Sequence, residues 1–364
     1  MSSTRSGRTP EKNSVACGLL SVVTSPSSSS LVEIPAPLLS VEDLRVELPV
    51  DGVLHPAVDG VSFALEAGRT LAVVGESGSG KTQLLRAILG LQPDGARVSG
   101  RVLSSGRDLS TLSDREWRAV RGREIGMVFQ EPAAALDPVQ TVGAQVVEAI
   151  RLHEPLSRAE ARRRAVNVLA EVSFPDPERA LGEYPHRLSG GLRQRACLAI
   201  ALAAGPRVLL ADEPTASLDA TVAMQILELL DRLRRERGLA VLLITHDLGV
   251  VAKHCDRVLV LYAGRVVEEG GTAALLRAPA HPYTRGLLRS VPVLATAGRQ
   301  RGERYEAIAG ALEDLSARRR GGCAFAPRCP DRFEPCEASV PDLYPAGEGR
   351  SRCFLSREAA GRGA

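Results

Sequence analysis

The 364 residues are enough for one large or two modest domains, and a hydrophobic share of 44% suits a globular core in water. A net charge of +3 with only 3% aromatic residues argues against a basic, base-stacking nucleic-acid binder. No apolar run approaches the roughly 20 residues that span a bilayer. The patch Cys17-Gly18-Leu19-Leu20 is too short for a secretory signal, so a cytosolic chain is expected.

Residues 1–36 read as a disordered tail, with a serine run at 27–30, flanking prolines and no periodicity. Order is expected from Leu38 onward. Residues 41–48 partly alternate as a half-buried strand does, 58–65 repeat the pattern, and Leu71-Ala72-Val73-Val74 is a short buried strand. Directly after it stands Gly75-Glu76-Ser77-Gly78-Ser79-Gly80-Lys81-Thr82, which matches G-x-x-x-x-G-K-[ST], and a helix is expected over 83–89, ended by Gly90. Strand, loop and helix in that order form a phosphate cradle. Glycines let backbone amides point inward around an anion, and the helix N-terminus adds favourable potential. Lys81 is expected to reach the terminal phosphates and the Thr82 hydroxyl to ligate Mg2+. Because Lys12, Lys81 and Lys253 are the only lysines, a chance match is improbable.

Further strands are expected over 98–103 and 125–129, the second ending at Gln130. Helices follow over 142–152 and 158–172, the latter with an arginine run at 162–164 read as a solvated face. Residues 131–187 are expected to form a helical subdomain inserted into the α/β core. Leu188-Ser189-Gly190-Gly191-Leu192 opens an apolar helix running to Leu202. A buried strand over 208–211 ends in Asp212-Glu213, and Ser217-Leu218-Asp219 makes a turn before a helix over 221–237. Residues 239–244 form the next strand, ending in Thr245-His246, and 257–262 with 265–269 form a hairpin. Strands alternating with helices imply a mainly parallel sheet with its ligand at the strand C-terminal ends.

At those ends Asp212 suits a Mg2+ partner near Thr82, and Glu213 suits the general base that activates water. His246 is placed to contact a γ-phosphate, and Gln130 to sense metal and water. Each has a plain alternative alone, as a cap or a structural polar group. Together, at the ends of alternate strands, they are expected to converge on one triphosphate. Ser189-Gly190-Gly191 begins a helix and offers a second anion site. It either closes on the nucleotide of another subunit in a head-to-tail dimer or is an ordinary serine cap.

These residues, in this order, resemble the ATP-binding subunit of an ABC transporter over residues 38–290: the phosphate loop, Gln130, residues 188–192, 208–213, 217–219 and His246. The resemblance implies an α/β phosphate-loop ATPase core, a mainly parallel sheet plus an antiparallel β subdomain, with two such domains closing on two ATP and Asp219 at the dimer seam. Phe129-Gln130-Glu131-Pro132, Tyr184-Pro185-His186, His281-Pro282-Tyr283-Thr284 and the segment 322–329 are similar to the oligopeptide, dipeptide and nickel importer branch. That branch implies a second ATPase subunit, alike or different, two integral permeases, an extracytoplasmic solute-binding protein and a place on the cytoplasmic face of the membrane. The family's adenine-stacking aromatic has no counterpart between Leu48 and Phe63; His55 is the candidate substitute. A soluble ABC ATPase, a metal- or redox-sensing regulator and an exporter are the rival readings.

Residues 291–364 are expected to form a C-terminal extension. Its Cys323, Cys329, Cys336 and Cys353 have C-x5-C-x6-C-x16-C spacing. Four thiolates can hold zinc or an iron–sulfur cluster, and free thiols or disulfides stay open. A 4Fe–4S cluster, carried here by some members of the resembling branch, is favoured over zinc. Cys17, Cys197 and Cys255 read as packing or tail residues.

Overall fold

The computed structural model describes residues 36–290, 308–317 and 321–361. The expected disordered tail and Cys17 lie outside the described residues. The described residues, from Ala36 onward, form one compact unit.

The strands are β1 (Leu39–Val50), β2 (Val53–Leu65), β3 (Thr70–Val74), β4 (Arg97–Ser104), β5 (Arg107–Asp108), β6 (Ile125–Val128), β7 (Val208–Asp212), β8 (Ala240–Ile244), β9 (Arg257–Tyr262), β10 (Arg265–Gly271), β11 (Tyr344–Ala346) and β12 (Gly349–Ser351). The helices are α1 (Lys81–Ile88), α2 (Asp114–Val120), α3 (Pro132–Ala135), α4 (Val142–Arg151), α5 (Arg158–Glu171), α6 (Pro177–Ala180), α7 (Gly190–Leu202), α8 (Ala220–Arg237), α9 (Leu248–His254), α10 (Thr272–Arg277), α11 (Pro282–Ser290), α12 (Glu334–Ala338) and α13 (Phe354–Gly361).

Two sheets organise them. One is antiparallel, in the order β2-β1-β4-β5; the other runs β11-β12-β10-β9-β3-β8-β7-β6. Within the second, β9, β3, β8, β7 and β6 pair in parallel, while β10, β12 and β11 add antiparallel strands at one edge. This is the α/β architecture expected, mainly parallel with an antiparallel subdomain.

The reason is legible residue by residue. β3, β7 and β8 are buried at every position, as parallel strands covered on both faces must be. Side chains alternate in direction along a strand, so each strand feeds two cores. Leu209, Ala211, Val241 and Leu243 pack with the helices α4, α5, α7 and α8. Val208, Leu210, Leu242 and Ile244 pack on the other face with α1 and the antiparallel sheet. Between β6 and β7 the chain is helical from α3 to α7, where the helical insertion is expected.

A third core joins β3 and β9 to the C-terminal part of the chain through Tyr262, Tyr283 and Phe325. Tyr262 and Phe325 stack edge-on at 5.3 Å. Beneath this layer His281 is buried, its Nδ1 accepting from the Tyr283 amide at 3.0 Å. Burial pushes its pKa from the usual 6.5 down to about 3. Below pH 6.5 the unfolded chain therefore binds a proton that the folded chain refuses, and folding loses about 1.4 kcal/mol per pH unit. Glu268, pushed up by burial, opposes this at its own titration. The melting temperature of the wild type is accordingly expected to fall more than that of His281→Gln between pH 7 and 5.5; parallel curves would contradict it.

Candidate functional site

β3 ends against the phosphate loop, and two of its glycines are forced. Gly75 has φ +155, and a Cβ there would meet Leu261 O at 2.2 Å. Gly80 has φ +106, and its Cβ would meet Ala57 O at 2.3 Å. A side chain at either position would push the loop off the strand ends that support it. α1 starts at Lys81, directly after Gly80, so its N-terminus faces the cradle.

The loop floors a hollow of about 1400 Å³. Gly75, Glu76, Ser77, Gly78, Gly80, Lys81 and Thr82 line it together with Gln130, Glu213 and His246. Gln130, Glu213, His246 and Gly75 follow β6, β7, β8 and β3, four strands that are neighbours in the sheet. These residues line one hollow, at the ends of adjacent strands rather than the alternate strands expected. Ser79 sits within the loop, fully buried, and its hydroxyl has no partner among the described residues. An orphaned hydroxyl in an anion cradle is the donor that a phosphate oxygen would satisfy.

The charged groups are arranged by depth. Lys81 is buried, and its Nζ donates to Gly75 O at 2.8 Å and Glu76 O at 2.9 Å. Burial lowers its pKa, while Glu213, Asp212 and Glu76 pull it back up. Asp212 lies behind the lining, 3% exposed, with the Thr82 hydroxyl nearby. Burial raises its pKa, which is the cost a bound cation would relieve. A hydroxyl and a buried carboxylate side by side, next to a phosphate cradle, fit a Mg2+ ion bound through oxygen ligands.

Glu213 adopts φ +45, a left-handed conformation uncommon outside glycine. Held there, it faces the hollow, and its Oε2 lies 3.3 Å from His246 Nδ1. Backbone strain retained at a carboxylate that opens onto a cradle is a pointer to function rather than to folding. A carboxylate beside an imidazole can take a proton from a water held above the loop.

Ser189, Gly190, Gly191 and Asp219 do not line this hollow. Ser189 caps α7, accepting from the Leu192 amide at 3.4 Å, and Asp219 caps α8 through the amides of Thr221 and Val222. The two helix starts pack together, since a Cβ on Gly190 would approach Leu218 at 3.6 Å. Ser189 and Gly190 are exposed. His55 is not among the lining residues, although β2 pairs it directly with Leu48; Leu48 and Ala57 take that side of the hollow. The far wall holds Leu287, Ser290 and the run Leu312, Glu313, Asp314 and Leu315, none of which local sequence patterns single out.

Cys323, Cys329, Cys336 and Cys353 border one small hollow with Phe325, Phe333 and Phe354. They are free thiols, and burial raises the pKa of Cys323, Cys353 and Cys329, the last to about 11. Among the described residues no group of three or more His, Cys, Asp or Glu is placed to hold a metal ion. The expected iron–sulfur or zinc site does not fit the side chains as they stand.

A parallel sheet with this loop after β3 and an acidic pair after β7 defines a phosphate-loop nucleotide-binding protein. Comparison with known proteins narrows the class. Residues 58–216 match the ABC transporter family, and residues 267–336 match the oligopeptide/dipeptide transporter C-terminal region. A peptide import ATP-binding protein of Brucella abortus is 45% identical over 334 residues, 89% of this chain and 98% of that protein. The oligopeptide transport ATP-binding protein OppD of Mycobacterium tuberculosis is 47% identical over 331 residues, 90% of this chain and 53% of OppD. Among solved structures, a dimeric ATP-binding cassette in a post-hydrolysis state with ADP and Pi is 30% identical, with a TM-score of 0.58 over 64% of this chain and 98% of that one. CbiO1 of Clostridium perfringens, part of a transporter complex, is 29% identical with a TM-score of 0.57, covering 66% of this chain and 91% of its own. The chain belongs to the ABC transporter family. It is an ATPase of the cassette type and uses ATP with Mg2+.

Proposed function

We propose that this chain powers the import of di- and oligopeptides by hydrolysing ATP in the hollow over the phosphate loop. The observation that carries this reading is the meeting of the loop, Gln130, Glu213 and His246 in one cavity, on a chain whose residues 267–336 match the oligopeptide/dipeptide transporter C-terminal region.

In this reading the amides of residues 75–82 cradle the β- and γ-phosphates, and Lys81 leaves its loop carbonyls to pair with them. Thr82 and Asp212, with Gln130 nearby, would hold Mg2+, which would neutralise charge on the phosphates. Glu213 orients a water and takes its proton; His246 holds Glu213 at the required angle and contacts the γ-phosphate. Ser189, Gly190 and Gly191 complete the site of a second ATPase subunit, with Asp219 at the seam. The exposure of Ser189, Gly190 and Asp219, and the absence of all four residues from the lining of the chain's own hollow, support that assignment, as does the dimeric state of the similar cassette.

The partners in this proposal are that second ATPase, as another copy or a related chain, two integral permeases and an extracytoplasmic solute-binding protein. No helix among the described residues is long and apolar enough to cross a membrane; in this proposal the chain is held on the cytoplasmic face by its permeases. The cluster reading of Cys323, Cys329, Cys336 and Cys353 rests on their shared hollow alone. Iron analysis of anaerobically purified protein tests it, and absence of iron removes it.

Uptake by cells lacking this subunit tests the substrate. Uptake of labelled di- and oligopeptides is expected to collapse and nickel uptake to persist. Loss of nickel uptake with intact peptide uptake would overturn the peptide assignment.

A further inference from the structure

The segment around Cys323 and Cys329 has no part in the chemistry above, yet one of its side chains reaches the phosphate loop. Arg328 ends a short 3₁₀ turn whose start, Phe325, is locked against Tyr262 and Tyr283. Its guanidinium grips Glu76 with both arms: Nη1 to Oε2 at 2.7 Å and Nη2 to Oε1 at 3.0 Å. Glu76 is the second residue of the loop, 252 positions earlier in the chain. The same guanidinium donates to Ala309 O at 2.8 Å and Gly310 O at 3.2 Å, at the base of the run that supplies the far wall of the hollow. The Arg328 side chain is only 8% exposed, and that of Glu76 25%. From the other side, Tyr283 accepts a hydrogen bond from the Glu76 amide at 2.8 Å. Both the backbone and the side chain of Glu76 are therefore held by residues of the C-terminal part of the chain.

We propose that Arg328 is a positioning residue for ATP: it fixes the phosphate loop through Glu76 and anchors the wall at Leu312–Leu315, so that the C-terminal extension completes the nucleotide site. Planar, two-armed pairing sets the direction of a carboxylate as well as its place, and a single ammonium cannot reproduce it. Glu76 Oε1 and Oε2 are both taken by Arg328, so this carboxylate is engaged rather than free to compete for the loop amides. The inference rests on the reading that ATP binds over residues 75–82.

The test is steady-state ATP hydrolysis by the full-length chain in its assembled transporter. Arg328→Ala is expected to raise the KM for ATP at least tenfold while kcat changes less than threefold, with Arg328→Lys rescuing only part. Glu76→Gln is expected to act in the same direction, and the double variant to be no worse than the worse single one. Arg332→Ala, on an exposed side chain of the same extension paired with Glu337, serves as control with unchanged KM. If Arg328→Ala does not fold, Glu76→Gln carries the same expectation, since Arg328 keeps its carbonyl partners. An unchanged KM in Glu76→Gln or in a folded Arg328→Ala, a loss confined to kcat, or effects that multiply in the double variant would overturn the proposal. Lys81→Ala separates the two readings: if it retains full hydrolysis, the site assignment itself fails, whereas its loss with a normal Arg328→Ala condemns only the positioning role.

Discussion

Glu213→Gln is expected to bind ATP as tightly as the wild type while hydrolysis falls about 10²–10⁴-fold, the range for removal of a general base. The substitution keeps the size of the side chain and a hydrogen-bonding head at a position whose backbone is already held at φ +45. What it removes is the ability to take a proton. The phosphate loop, Lys81, Thr82 and Asp212 are untouched, so the affinity for nucleotide has no reason to change. His246, 3.3 Å from Glu213 Oε2, keeps a partner of the same shape. Fluorescent-nucleotide binding and phosphate release on one preparation decide it. Wild-type turnover would remove Glu213 from the role of base.

Gly190→Ala is expected to leave folding intact and to reduce hydrolysis in the assembled complex by at least about tenfold, through loss of an anion site at a helix start. Within this chain a methyl group at Gly190 meets nothing closer than Leu218 at 3.6 Å, an ordinary contact, and the residue has no positive φ to require glycine. At the first position of α7, alanine fits the helical backbone at no cost. Gly191 differs, since its Cβ would strike Val222 at 2.5 Å. If Gly190 must be glycine, the reason lies outside the chain, in a ligand brought against α7 by a second subunit. Normal melting with lost ATPase supports that; full ATPase would return Ser189-Gly190-Gly191 to the role of a plain helix cap.

The sheet was legible because β3, β7 and β8 are continuous apolar runs, which is how strands covered on both faces read. The phosphate loop and the acidic pair were legible because their chemistry demands fixed spacing. Other parts carried signals that periodicity does not register. β2 begins at Val53 rather than at 58, because Asp51 and Gly52 both take positive φ and close a two-residue hairpin. α2 is announced by Ser113 and Glu116 as a capping box, but its seven residues are too few for a visible apolar face. β11 and β12 are three residues each and exist because the edge of β10 accepts them. The contact of Arg328 with Glu76 belongs to this last kind. Only tertiary structure brings together two polar residues 252 positions apart.

The most direct measurement is the structure of Glu213→Gln assembled with its partner ATPase and bound to ATP and Mg2+. The account predicts a triphosphate over residues 75–82, with Lys81 and His246 on the γ-phosphate, Asp212 and Thr82 beside the metal, and Ser189 against the nucleotide of the opposing subunit. A nucleotide seated away from that loop, or one closed over by residues other than Ser189 and Gly190, would contradict it.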